Sequence, residues 1–166
     1  MNSNYRLHLL KAPDYSAFEI QSVFKLNQLN TPEVGSLESL EYLEKLIELS
    51  AYNLLVIHDE EIVGFIICLR EGTDYGSENY KFFTKRLKKF LYVDRVAIDE
   101  CHRRLGIGKA IYEDIFAHAK DKKLPIALEV NTQPVNQPSL DFHEKMGFEK
   151  IGTKDFEDHS VAYFLK

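Results

Sequence analysis

The chain has 166 residues, enough for one domain that buries roughly two thirds of its unfolded surface. Its 45% apolar, 28% charged and 12% aromatic content lies near globular averages and excludes a disordered chain. A net charge of −5 disfavours sequence-independent binding to nucleic acid or to an anionic membrane, because both need a surplus of Lys and Arg to replace counterions.

The N-terminus MNSNYRLHLL lacks a long apolar core after its charge, and the longest apolar run, IVGFIICL, is too short to span a bilayer. A cytoplasmic location is expected. Cys68 and Cys101 form no CxxC pair, which fits a reducing compartment. The histidines make no HExxH, since HEKMG at His143 has glycine where the second histidine belongs, so no metal is expected.

In chain order, YRLHLLK (5–11) alternates like a first strand, and 15–29 places Phe18, Val23, Phe24 and Leu26 with helical spacing. After Thr31, Pro32 and Gly35, Ser36 is expected to cap a second helix running to Leu49, with Leu37, Leu40, Leu43, Leu46 and Ile47 inward and an acidic outer face. The stretch 53–70 holds two apolar runs around Asp59, Glu60 and Glu61, a hairpin signal. Residues 71–90 read as a loop with a short helix, 91–99 as a strand, and the stretch from Ile107 to Ala119 as a helix. PIALEVNT (125–132) reads as another strand, Ser139 to Met146 as a short helix, and two closing strands flank DFEDH.

The motif that carries chemistry is RRLGIGK, between strand and helix. A P-loop fails here, because Arg103 stands at its first glycine and Ala110 follows Lys109 where a hydroxyl is needed. A dinucleotide fingerprint fails because Ile111 stands at the third glycine. What remains is RxxGxG, from Arg103 through Gly106 to Gly108, where free amides and the helix dipole favour a pyrophosphate. The plain alternative is turn chemistry before a helix.

With this segment the chain resembles the GNAT superfamily of acyl-CoA-dependent N-acetyltransferases, whose RxxGxG binds the coenzyme A pyrophosphate between the fourth strand and third helix. VIHDEEIVGFI resembles the family's second and third strands, and NQPSLDFHEKMGFEKIG (136–152) resembles its later Asn, small residue, short helix and Gly-Phe. The likeness covers about 50–166; residues 1–50 match by element order. It implies an α/β fold: one GNAT-like domain, a mixed twisted β-sheet of about six to seven strands with helices on both faces.

The resemblance further implies acetyl-CoA as co-substrate, held by Arg103, Arg104, Leu105, Gly106, Ile107, Gly108 and Lys109, by the backbone of Val96, Ala97 and Ile98, and by Asn136 and Ser139. It places a general base at Asp94, with Glu129 on the next strand as rival; pairing of Asp94 with Arg95 is the structural alternative. The family's usual tyrosine acid is replaced by His143, a group that titrates at about 6.5 when unperturbed.

The expected function is acetyl transfer from acetyl-CoA to a primary amine by direct attack in a ternary complex. The alternatives are a non-catalytic acyl-CoA-binding or sensing module and, third, an ATP-binding module. The acceptor would be a small-molecule or peptide amine, with no nucleic acid or membrane partner. Glu38, Glu41, Glu44 and Glu48 would favour a cationic one if they face the site. The run Lys81, Lys85, Arg86, Lys88 and Lys89 is expected on a solvated amphipathic helix, or else bordering the acceptor site or a homodimer interface.

Overall fold

The computed structural model describes residues 4–166, so Met1 to Ser3, the head of the N-terminal stretch considered above, lie outside the described residues. The elements run β1 (Arg6–Leu9), α1 (Ala17–Leu29), α2 (Leu40–Leu49), β2 (Tyr52–His58), β3 (Glu61–Arg70), α3 (Glu78–Thr84), β4 (Leu91–Ile98), α4 (Ile107–Lys122), β5 (Ile126–Gln133), α5 (Gln137–Lys145), β6 (Glu149–Asp155) and β7 (Ser160–Leu165). The strands form one sheet in the order β1-β2-β3-β4-β5-β7-β6. All neighbours pair antiparallel except β4 and β5, which are parallel.

Strand alternation sends side chains to two faces, each covered by helices. On one face Leu55, Phe65, Ile67, Tyr92, Ala127 and Tyr163 pack with α1, α2 and α3 residues such as Val23, Leu43, Leu46 and Phe83. On the other, Leu54, Val56, Ile66, Leu128 and Phe164 pack with Ile111, Tyr112 and Ile115 of α4. This is the expected mixed α/β sheet with helices on both faces.

Local chemistry sets the boundaries. Ser16 and Glu19 form a capping box that starts α1. The α2 cap is a correction to the sequence reading. Ser39, not Ser36, accepts the Tyr42 N–H. The preceding residues are held off the helix because Gln28 Oε1 accepts the Leu37 N–H while Gln28 Nε2 donates to the Leu37 carbonyl. Leu37 remains buried, but from a loop. Asp59 and Glu60, with φ of 47° and 65°, make a two-residue turn between β2 and β3. α5 begins earlier than expected, capped by Asn136 with Pro138 in its first turn.

The basic run is also only partly helical. α3 ends at Thr84, so Lys85 to Lys89 lie beyond it. Its apolar members point inward: Phe83 is fully buried, and Phe82 lies flat between the Tyr163 ring, 3.7 Å away, and the Arg86 guanidinium, 3.6 Å away. Gly152 on β6 leaves room for this stack, since a Cβ there would come within 3.2 Å of Phe82.

Candidate active site

Two features of β4 open the sheet at its centre. Its pairing with β5 is confined to Leu91 with Ile126 and Tyr92 with Ala127, after which the strands part. Against β3 the register shifts so that Ile67 faces Arg95 and Cys68 faces Val93, leaving Asp94 as the extra, bulged residue. A bulge bends the strand and re-aims a side chain. Asp99 N–H donates to Val63 O, and antiparallel alternation from that bond puts the Ala97 amide in the β3 ladder and turns those of Val96 and Ile98 to the open side.

Asp94 is buried, its side chain 4% exposed, and both oxygens are engaged. Oδ1 accepts from the Tyr75 hydroxyl at 2.6 Å and Oδ2 from Arg95 Nε at 2.8 Å. Arg95 also donates to Asn27 Oδ1 and to the Gly35 carbonyl, tying the α1–α2 connection to the bulge. Burial and the neighbouring Asp94 push the Tyr75 hydroxyl well above its ordinary range, so it stays a donor.

Glu129 sits two residues beyond the last β4–β5 pair, on β5. The residue is half-buried, and its carboxyl accepts from the Tyr92 hydroxyl at 2.8 Å and from Asn79 Nδ2 at 3.3 Å. Asn79 Oδ1 in turn accepts from the Tyr163 hydroxyl at 2.9 Å. Burial pushes the Glu129 carboxyl up to about 8, the Asp94 charge adding to the rise and the Tyr92 and Asn79 hydrogen bonds opposing it. A carboxyl titrating there can exchange a proton near neutrality.

At the far end of β4 the RxxGxG loop enters α4. Gly106 has a φ of 84°, which favours glycine, and no side chain caps the helix. The first helical bond runs from Ala110 N–H to the Gly106 carbonyl, so the amides of Ile107, Gly108 and Lys109 have no intrahelical partner. That cradle suits a pyrophosphate. Arg104 and Leu105 are exposed, and Arg104 is itself left-handed at φ 61°. Lys109 is 68% exposed, 3.7 Å from Glu113. Arg103 is exposed, and its guanidinium donates to Asn30 Oδ1 and to the Ile98 carbonyl. A Cβ on Gly108 would touch the Phe142 ring at 3.4 Å and Ile98 at 3.6 Å, so this glycine serves the contact of α4 with α5.

His143 lies in the α4–α5 interface, 5% exposed. Nδ1 stands 2.7 Å from the Ser139 carbonyl, to which it donates, and Nε2 accepts from the Tyr112 hydroxyl at 2.7 Å. Burial holds the ring below its ordinary pKa and therefore neutral. Both nitrogens are committed, which runs against the proton-donor role expected from the sequence. Asn136 and Ser139 meet at the same helix start, where Asn136 Oδ1 accepts the Ser139 N–H and Ser139 Oγ lies 3.2 Å from His143 Nδ1.

The carboxylates Asp94 and Glu129 thus flank one opening, with the glycine loop beyond it and His143 in a separate buried pair. Sequence reasoning missed Tyr75, Asn79 and Tyr92; no local signal marks them, because their partners lie 19 to 50 residues away. Glu44 accepts a 3.4 Å bond from Tyr15, Glu38, Glu41 and Glu48 are exposed, and none of the four bonds to the residues at the opening. Among the described residues no group of three or more His, Cys, Asp or Glu could hold a metal ion, and no helix is long and apolar enough to cross a membrane.

Comparison with known proteins agrees with the fold. Residues 20–148 match the Acetyltransferase (GNAT) family. An N-alpha-acetyltransferase of Sulfurisphaera tokodaii is 26% identical over 149 residues, covering 89% of this chain and 86% of the relative. The probable N-acetyltransferase san of Drosophila melanogaster is 24% identical over 134 residues, covering 81% and 66%. Among solved structures, Arabidopsis thaliana NAA60 in complex with acetyl-CoA has a TM-score of 0.73 at 14% identity, covering 98% of both chains. The Escherichia coli ribosomal-protein-S18-alanine N-acetyltransferase has a TM-score of 0.70 at 12% identity, covering 97% and 92%. With the family match spanning most of its length, the chain belongs to the GNAT family of acetyltransferases.

Proposed function

We propose that the protein transfers the acetyl group of acetyl-CoA to the α-amino group of a peptide, by direct attack in a ternary complex with Glu129 as general base. The observation that carries this reading is the Glu129 carboxyl at the β4–β5 opening, raised to about 8. A peptide α-amine has a pKa of about 7.7–8.0, whereas a lysine amine lies near 10.4. About one α-amine in ten is neutral at pH 7, so a base matched to that pKa suffices. The curated relative named an N-alpha-acetyltransferase supports the same acceptor class.

In this reading the pyrophosphate rests on the amides of Ile107, Gly108 and Lys109, and the Val96 and Ile98 amides face the thioester and pantetheine. The amine nitrogen attacks the thioester carbon, its proton passes to Glu129 directly or through one water, and the C–S bond breaks to release the thiolate. A thiol near pKa 8.5 leaves readily as its anion, so no side-chain acid is required. Asp94 then acts as a fixed charge that keeps Glu129 basic, and His143 as a brace between α5 and α4.

The test is mass-spectrometric detection of acetylation on peptides with a free N-terminus, beside N-blocked peptides that carry only lysine amines. Transfer to the α-amine, reduced at least tenfold in Glu129→Gln with acetyl-CoA affinity retained, supports the proposal. Micromolar acetyl-CoA binding without transfer to any peptide would favour the acyl-CoA-sensing alternative.

A further inference from the structure

The segment between β3 and β4 does more than cover the sheet. Residues 71–90 carry α3 across the face of β5 and β7, and two of their polar side chains reach the two carboxylates at the opening, Tyr75 to Asp94 and Asn79 to Glu129. The second contact is held with unusual care. Tyr163, which fixes the Asn79 amide from behind, is itself stacked on Phe82 of the same helix, and Arg86 closes the stack. The α3 helix therefore brings both the amide and the aromatic ring that orients its partner.

We propose that Asn79 is a positioning residue that holds the Glu129 carboxyl in reach of the acceptor amine and serves it in both protonation states. The inference rests on the reading of Glu129 as the base. When Glu129 is ionised it can only accept, so Asn79 Nδ2 donates to it while Asn79 Oδ1 accepts from Tyr163, as in the structure. When Glu129 takes the amine proton, a half-turn of the amide lets Oδ1 accept that proton while Nδ2 donates to the Tyr163 hydroxyl oxygen. The hydroxyl can reverse its role because it both donates and accepts. Each state then keeps one hydrogen bond between Asn79 and Glu129 and another between Asn79 and Tyr163.

The other groups facing Glu129 are committed differently in the structure. Tyr92 on β4 has its hydroxyl raised well above the ordinary range by burial and by Glu129, and it donates. Asp94, also on β4, is occupied by Tyr75 and Arg95 and acts by charge alone. The Tyr163 hydroxyl on β7 is raised to about 12 by burial and by Glu129, and Tyr112 on α4 bonds to His143. Asn79 is the one member of this set whose donor and acceptor sit on two different atoms of a single rotatable group, one turned to Glu129 and the other to Tyr163.

The test reads the carboxyl directly and needs no acceptor. In protein labelled with carbon-13 at glutamate Cδ, the Glu129 signal is identified by its absence in Glu129→Gln and its midpoint is followed in wild type, Asn79→Leu and Asn79→Asp. Loss of the donor in Asn79→Leu, or its replacement by an acceptor and a negative charge in the isosteric Asn79→Asp, disfavours the carboxylate. Both midpoints should rise by about 0.5–1 unit, which lowers acetyl transfer to the preferred peptide about three- to tenfold at pH 7. The loss should shrink at pH 9, the KM for acetyl-CoA should hold, and Asn79→Gln should recover part of the rate. An unchanged or lowered midpoint in folded Asn79 variants overturns the inference. If Glu129→Gln keeps full transfer, the base assignment fails instead, whatever the carboxyl titration gives.

Discussion

Replacing His143 separates a proton donor from a structural brace, and the magnitudes follow from its contacts. In His143→Phe the Tyr112 hydroxyl loses its 2.7 Å acceptor in a position where Tyr112 is 1% exposed. An orphaned buried hydroxyl costs about 1–3 kcal/mol. The Ser139 carbonyl is spared, because it keeps the backbone N–H four residues on. Tyr112→Phe alone should cost a similar amount by stranding Nε2. The double variant removes both ends, so it should be more stable than His143→Phe and cost clearly less than the sum of the singles. There is a pH signature as well. The folded pKa of His143 lies below its unfolded value, so its contribution is complete above about 6.5 and is lost as pH falls from there toward the folded pKa. His143→Phe should flatten the stability profile below pH 6.5. Denaturant unfolding at pH 7.5 and 5.5 gives all these values, and the double variant should keep kcat within a few-fold. A fall in kcat of about 10²–10⁴-fold in folded His143→Phe, with no rescue of stability in the double variant, would refute the brace and restore the acid.

Three further outcomes are expected. Asp94→Asn removes the charge that helps raise Glu129, so the acidic limb of the kcat/KM profile, expected near 8 in the wild type, should move to lower pH; abolished transfer with acetyl-CoA binding intact would make Asp94 the base. Gly106→Ala meets no atom within 4 Å but keeps a φ of 84°, a strain of about 1–2 kcal/mol, and calorimetry should find weaker acetyl-CoA binding together with a lower Tm. An unaltered affinity would mean that the loop relaxes without disturbing the cradle. Phe83→Ala empties a fully buried site where α3 meets Phe90, Tyr92 and Tyr163, and chemical denaturation should register a loss of about 3–5 kcal/mol.

The legible parts of the molecule were the local ones. Alternating apolar residues located the strands, Asp59 and Glu60 the hairpin, and the spacing of Gly106 and Gly108 the loop into α4. The α2 cap was misplaced by three residues because Ser36 and Ser39 are equally good caps, and the choice between them fell to Gln28, eight or more residues away. Arg103 shows the same limit. Its motif position suggests a ligand, yet its guanidinium reaches Asn30 across 73 residues of chain.

The sequence by itself determined the elements, their order, the family resemblance and the glycine cradle, because dihedral preferences, periodicity and motif spacing act over a few residues. Only the tertiary structure decided what surrounds each carboxylate. Asp94 and Glu129 read alike along the chain, but one is committed to Arg95 and Tyr75 while the other stands at the opening between Tyr92 and Asn79. Burial and partners brought from 35 to 50 residues away set the proton affinity of Glu129, and neither is written in the residues beside it.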